Sequence, residues 1–208
     1  MLNIFARATV AKALRPLGAR LARSGVSPNV VTIVGTAGAV AGGLSLLATG
    51  RLFLGSAVIT VFVLLDLVDG ALARARGITS PFGAVLDSSC DRLADAAVFG
   101  GLAWWFAGGG DSRALLLATL LCLVLGSVTS YIKARAEGAG LRCDVGIAER
   151  SERLIIVLVG TGLSGLGVPY IQAIALWLLV GLTAVTVVQR TVEVRRQAAA
   201  VVATRPPP

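Results

Sequence analysis

The sequence predicts an all-α integral membrane protein, with six transmembrane helices and an N-terminal amphipathic helix lying in the membrane interface. Three observations lead there. Of 208 residues, 56% are hydrophobic and mean hydropathy is +0.85, whereas a soluble domain is about 45–50% apolar. The apolar residues gather into six stretches separated by short polar or Gly/Pro-containing turns. Charge is sparse, at 14% of residues, yet sums to +8 and is unevenly placed.

Residues 1–26 form the interfacial segment. Val10, Leu14, Leu17 and Leu21 share one helical face, and Lys12, Arg15, Arg20 and Arg23 lie on the other side. Pro16 kinks it, and its interspersed cations do not match a cleavable signal peptide. The transmembrane domain follows over 27–196. Ser27-Pro28 starts the first span, about 28–48, where Gly35, Gly38, Gly42 and Gly43 permit close packing. The second and third spans cover about 51–75 and 82–107, and the fourth covers about 112–137. A polar loop, 138–149, leads to the fifth, about 150–164, and the sixth, about 169–195. Residues 197–208 end in three prolines and read as a disordered tail.

Six spans return both termini to one side. Seventeen of the nineteen Lys and Arg residues fall on that side, with Arg51 and Arg113 opposite. The bias makes it cytoplasmic and the protein a multi-pass component of the cell membrane. The cationic excess suits anionic headgroups of membrane lipids and phosphorylated substrates. Nucleic acid is excluded as a partner, because no basic, aromatic-bearing soluble domain exists. The absence of histidine excludes His-bound zinc. Cys90, Cys122 and Cys143 lack metal-ligand spacing and read as packing residues, with no neighbouring base that would make Cys90 a nucleophile.

The chemistry concentrates between residues 66 and 91. Asp66 and Asp69 are three apart near the end of the second span, and Asp87 and Asp91 are four apart near the start of the third. Each pair shares a helix face, and the polar stretch 75–82 turns one helix back on the other. Solvated or helix-capping aspartates are the ordinary alternative, but carboxylates at membrane depth are costly and are usually functional. Four converging anions need cations to stay ionised. Oxygen-only ligands favour one or two hard divalent ions, Mg²⁺ or Mn²⁺, completed by substrate phosphates. Asp95 continues the Asp87/Asp91 face by a turn and reads either as a residue that supports the site or pairs with Arg92 or another helix, or as a merely structural one.

The stretch D-x-x-D-G-x-x-A-R-x8-G-x-x-x-D-x-x-x-D, built on Asp66, Asp69, Gly70, Ala73, Arg74, Gly83, Asp87 and Asp91, resembles the signature of the CDP-alcohol phosphotransferases. All eight fixed positions are present across 26 residues, and the membrane layout also fits that family. The resemblance implies a CDP-linked lipid donor, CDP-diacylglycerol, from which CMP leaves. It implies that the four aspartates hold the metal and that Asp91 is the general base for an acceptor hydroxyl. It implies that Gly70, Ala73, Arg74 and Gly83 face the nucleotide, with Pro28 and Asn29 adding an N-terminal contribution. The whole chain further resembles the family's actinobacterial members, mycobacterial ones in particular, that make phosphatidylinositol phosphate. That implies 1D-myo-inositol 3-phosphate as the acceptor, with glycerol 3-phosphate the alternative within the family.

A phosphorylated acceptor needs cations of its own. Ser130, Lys133, Arg153 and Arg195 lie near cytoplasmic helix ends and are the candidates, although each alone also suits a snorkelling interface residue. A carboxylate-based cation transporter is the rival from another class. It explains buried acids but not the Gly/Ala/Arg spacing, and no internal repeat is present. A prenyltransferase would carry its acids in two separated loops. A homodimer is expected through Gly38-x-x-x-Gly42 and Gly100-Gly101, as the resemblance also implies; the same glycines suit contacts within one chain.

Overall fold

The computed structural model describes residues 27–76 and 80–203, with only the backbone path for 66–76 and 202–203. The expected interfacial helix 1–26 lies outside the described residues. Those described form six helices: α1 Pro28–Leu47, α2 Leu52–Arg76, α3 Pro81–Ala107, α4 Arg113–Gly138, α5 Arg150–Gly165 and α6 Ile171–Ala203. The last six residues of α1, Gly42–Leu47, wind as a π-helix.

Local chemistry sets the starts. Ser27 Oγ accepts a hydrogen bond from Val30 N–H at 3.4 Å, and Pro28 opens α1 with its fixed φ. The device recurs at α3, where Ser80 Oγ accepts from Gly83 N–H at 3.0 Å and Pro81 follows. Ser112 caps α4 through Leu115 N–H.

Three segments, Pro28–Leu47, Arg113–Gly138 and Ile171–Val201, are long and apolar enough to cross a membrane, and Leu52–Leu65 is a shorter apolar stretch. α3 carries acids at one end and α5 has only 16 residues. Length and composition alone therefore single out three of the six expected spans.

The helices close into a ring: α1 packs on α2 and α3, α2 on α5, α5 on α6, α6 on α4, and α4 on α3. Leu47, Ile59, Val98, Leu102, Leu176 and Leu179 are wholly buried in its core. The starts of α1, α3 and α5 meet the ends of α2, α4 and α6 at one end of the bundle.

The closest approach joins α1 to α3. A Cβ on Gly43 would lie 2.5 Å from the Ala97 carbonyl oxygen, and one on Gly101 would strike the Gly43 carbonyl. Gly38 abuts the Phe62 ring and Gly42 abuts Ile59. The expectation that Gly38, Gly42 and Gly101 serve a dimer interface is thereby corrected: their small faces are filled within the chain. Gly100 alone among them faces open space.

The expected tail from 197 is also corrected, because α6 stays helical to Ala203. Gln197, three alanines and Val201 have no helix breaker among them. Gln197 also bonds both backbone groups of Arg142, accepting at 2.9 Å and donating at 2.6 Å. Arg190 ties the same loop to α4, donating from Nε to the Val145 carbonyl at 2.9 Å and from Nη1 to the Thr129 carbonyl of α4 at 2.6 Å.

Candidate active site

The α3 aspartates form a ladder running into the bundle. Asp87 is exposed at the mouth, Asp91 is half-buried one turn deeper, and Asp95 is 7% exposed one turn deeper again. Beside them the capped starts of α1 and α3 lie together. Asn29 Oδ1 is 3.5 Å from the position a Cβ on Gly83 would occupy. Gly83 therefore leaves an open approach flanked by Asn29, with Pro28 in the same turn.

Asp66, Asp69, Gly70, Ala73 and Arg74 lie in the last turns of α2, and their side chains are outside the described residues. The helix places Asp66 and Asp69 on one face, as the spacing predicts. Phe62 and Val63, one turn earlier, line a small cavity with Gly35, Thr36, Ala94 and Arg150. The turn before the first aspartate pair thus reaches the α3 ladder.

Among the described residues, no three His, Cys, Asp or Glu side chains gather at one point. Asp87 and Asp91 are two of the four carboxylates that would hold a metal, and the other two belong to the backbone-only part of α2. The donor set fits a hard divalent ion: oxygen only, partly exposed, and without a competing sulfur ligand, since Cys90 is buried.

The deeper part of the ladder is an ion network. Asp91 Oδ1 is 2.7 Å from Arg150 Nη1, each side chain being 21% exposed. Asp95 meets Arg150 Nε at 3.2 Å, Arg92 Nη2 at 3.3 Å and Arg153 Nη2 at 3.5 Å. Among the described residues, three guanidiniums thus face two carboxylates. Arg92 also donates to Ser130 Oγ. Arg92 Nε and Arg153 Nη2 are buried and have no hydrogen-bond partner among the described residues.

The four acceptor candidates separate here. Ser130 joins the network through Arg92. Arg153 is only 2% exposed, not an interface residue reaching for water; its Nη1 donates to Thr129 Oγ1 at 3.3 Å and to the Ala148 carbonyl at 3.2 Å. Lys133 points to the loop, bonding Asp144 Oδ1 at 2.9 Å with Glu137 Oε1 3.8 Å away. That hydrogen bond holds the Asp144 carboxyl below its usual range. Arg195 is exposed on α6, two residues before Gln197.

Asp95 pairs with Arg92 and with another helix, as the face continuation suggests. Arg150 and Arg190 are the residues that sequence reasoning missed. The i,i+3 spacing of Arg150 and Arg153 at a helix start was a usable signal. Arg190 stands alone in an apolar stretch near the end of the last helix, and no local spacing points to its partners. The three cysteines are free and buried, in keeping with packing roles.

The family model described as CDP-alcohol phosphatidyltransferase matches residues 25–188. The chain is 50% identical over 200 residues to a phosphatidylinositol phosphate synthase of Mycolicibacterium smegmatis, covering 94% of this chain and 90% of that one. It is 52% identical over 206 residues to a protein of the same name from Streptomyces avermitilis, covering 96% and 84%. Two crystal structures of the Mycobacterium tuberculosis phosphatidylinositol phosphate synthase resemble it at 51% identity. The one with CDP-DAG bound gives a TM-score of 0.81 over 86% of this chain and 92% of that chain. The one with manganese and citrate gives 0.82 over 86% and 87%.

Proposed function

The chain belongs to the CDP-alcohol phosphatidyltransferase family, and from that premise we propose how its residues carry out the transfer of a phosphatidyl group from CDP-diacylglycerol to inositol phosphate. It is an integral membrane transferase of phospholipid biosynthesis. The products are phosphatidylinositol phosphate and CMP. One observation carries the acceptor reading. Beside the aspartate ladder and next to Ser130, buried Arg92 Nε has no hydrogen-bond partner among the described residues, and buried Arg153 Nη2 has only Asp95, 3.5 Å away. Such donors match a phosphate better than a neutral alcohol.

Asp66, Asp69, Asp87 and Asp91 are the proposed ligands of a divalent metal, Mg²⁺ by preference. When bound, the ion neutralises charge on the pyrophosphate and on the leaving CMP. The rest falls to the chain. Gly70, Ala73 and Gly83 let the nucleotide approach the helix backbone; Arg74, Pro28 and Asn29 flank it. Asp91 accepts the proton of the acceptor hydroxyl as its oxygen attacks the phosphatidyl phosphorus. The new P–O bond forms as the anhydride P–O bond to CMP breaks. Ser130, Lys133, Arg153 and Arg195 hold the acceptor phosphate. In this assignment Lys133 exchanges Asp144 for that phosphate.

Six spans with the site and both termini cytoplasmic follow from the Lys/Arg asymmetry. A homodimer is kept as part of the proposal. Its support within the chain is the exposed α3 face of Leu93, Gly100 and Trp104.

The test is CMP release from CDP-diacylglycerol with inositol phosphate, glycerol 3-phosphate and free inositol supplied in turn, with and without EDTA. Metal-dependent release with inositol phosphate alone is expected. Faster release with glycerol 3-phosphate refutes the acceptor assignment, and undiminished release in excess EDTA refutes the metal site.

A further inference from the structure

Arg150 is the first residue of α5, and through it that helix reaches α3, a helix outside its own closely packed pairs. One guanidinium bridges two carboxylates a helical turn apart, with Nη1 2.7 Å from Asp91 Oδ1 and Nε 3.2 Å from Asp95 Oδ1. The same side chain lines the cavity shared by Thr36, Phe62, Val63 and Ala94. It therefore stands where α1, α2 and α3 converge beneath the aspartates. Asp95 has charge partners besides Arg150, namely Arg92 at 3.3 Å and Arg153 at 3.5 Å.

We infer that Arg150 is a resident counter-cation for Asp91, one that the site gives up when a divalent metal binds. The inference rests on the reading of Asp91 as a metal ligand. A guanidinium 2.7 Å from Asp91 Oδ1 occupies a lone pair that a metal needs and carries charge of the same sign as the metal. In the metal-free enzyme it satisfies the half-buried carboxylate and fixes its position. On metal binding it stays on Asp95, to which its Nε is already bonded, so the exchange needs a rotation of the guanidinium rather than its expulsion. Arg150 is thus a positioning residue that lowers the intrinsic metal affinity of the site.

The experiment is Mn²⁺ titration of the full chain in detergent without substrates, with free Mn²⁺ followed by electron paramagnetic resonance. Wild type, Arg150→Met, Arg150→Lys, Asp91→Asn and the Arg150→Met/Asp91→Asn double variant are compared. Removing a partly exposed ion-pair competitor should tighten Mn²⁺ binding by about fivefold in Arg150→Met. Arg150→Lys keeps the charge and should stay near wild type. Asp91→Asn should weaken binding, and in that background Arg150→Met should change nothing, because its effect passes through Asp91. A merely structural Arg150 would not produce this coupling. Should Arg150→Met fail to elute as folded protein, Arg150→Gln carries the same expectation. Unchanged or weaker Mn²⁺ binding on loss of Arg150, with Asp91→Asn still weakened, overturns the inference and leaves the metal site standing. Unaltered binding in Asp91→Asn removes the metal reading of that residue and the inference with it.

Discussion

Replacing Asp95 with Asn should destabilise the bundle more than any change at the exposed Asp87. Asp95 is 7% exposed and is paired with guanidiniums at 3.2, 3.3 and 3.5 Å, one of which belongs to Arg153, 2% exposed. The amide keeps the size but removes the charge that three cations share. Arg153 keeps its bonds to Thr129 and Ala148, yet its Nη2 loses its ion partner in a dry site. Removing one member of a buried ion pair costs about 3–5 kcal/mol. Partial exposure of Arg92 and Arg150 argues for the lower end, about 3 kcal/mol. For a chain of this size that corresponds to a Tm lower by about 6–12 °C. The assay is thermal unfolding in a mild detergent, followed by tryptophan fluorescence, with Asp87→Asn as the control. A Tm for Asp95→Asn within about 2 °C of both wild type and the control would refute the claim that Asp95 is the charge centre of the network.

Gly43→Val should separate α1 from α3, because even a Cβ would lie 2.5 Å from the Ala97 carbonyl oxygen; loss of folded protein on size-exclusion chromatography is expected, with Gly100→Ala tolerated. Arg190→Ala removes the donor to the Val145 carbonyl and the added bond to the Thr129 carbonyl of α4 and should lower stability by about 1–3 kcal/mol, read as a lower Tm and lower amide protection in 139–149. The Asp144 carboxyl, held low by Lys133, contributes its tie above the ordinary aspartate pKa and loses it as pH falls through the depressed value. Protection factors in 139–149, corrected for the intrinsic pH dependence of amide exchange, should therefore fall on acidification, and Asp144→Asn should lower them already at neutral pH.

The helices were legible where the chain announces its turns. Ser27-Pro28 and Ser80-Pro81 mark two starts, and the predicted spans match the observed helices to within a few residues apart from the end of α6. That end was misread because Arg195 and Arg196 look like a membrane boundary. The helix continues because Gln197 and Arg190 give it a loop to hold, a contact between residues 55 and 45 positions apart that no local pattern reveals. The π turn at Gly42–Leu47 was also invisible, since adjacent glycines suggest close packing but not a widened helix. The aspartate pairs stood out because charge is rare in apolar stretches. Their cationic partners did not, since pairing Asp91 with Arg150 requires knowing which helices meet across the bundle. The same ignorance sent Gly38 and Gly42 to a dimer when Phe62 and Ile59 fill their faces.

The central claim is that carboxylates on α2 and α3 move a phosphatidyl group onto inositol phosphate, with Asp91 taking the proton. The most direct test is mass spectrometry of the lipid formed by wild type and by Asp91→Asn, side by side in nanodiscs containing CDP-diacylglycerol, with inositol phosphate and Mg²⁺ supplied. Wild type is predicted to yield phosphatidylinositol phosphate in step with free CMP, and Asp91→Asn to yield neither while keeping its thermal stability. Phosphatidylinositol phosphate formed by Asp91→Asn at the wild-type rate would contradict the account.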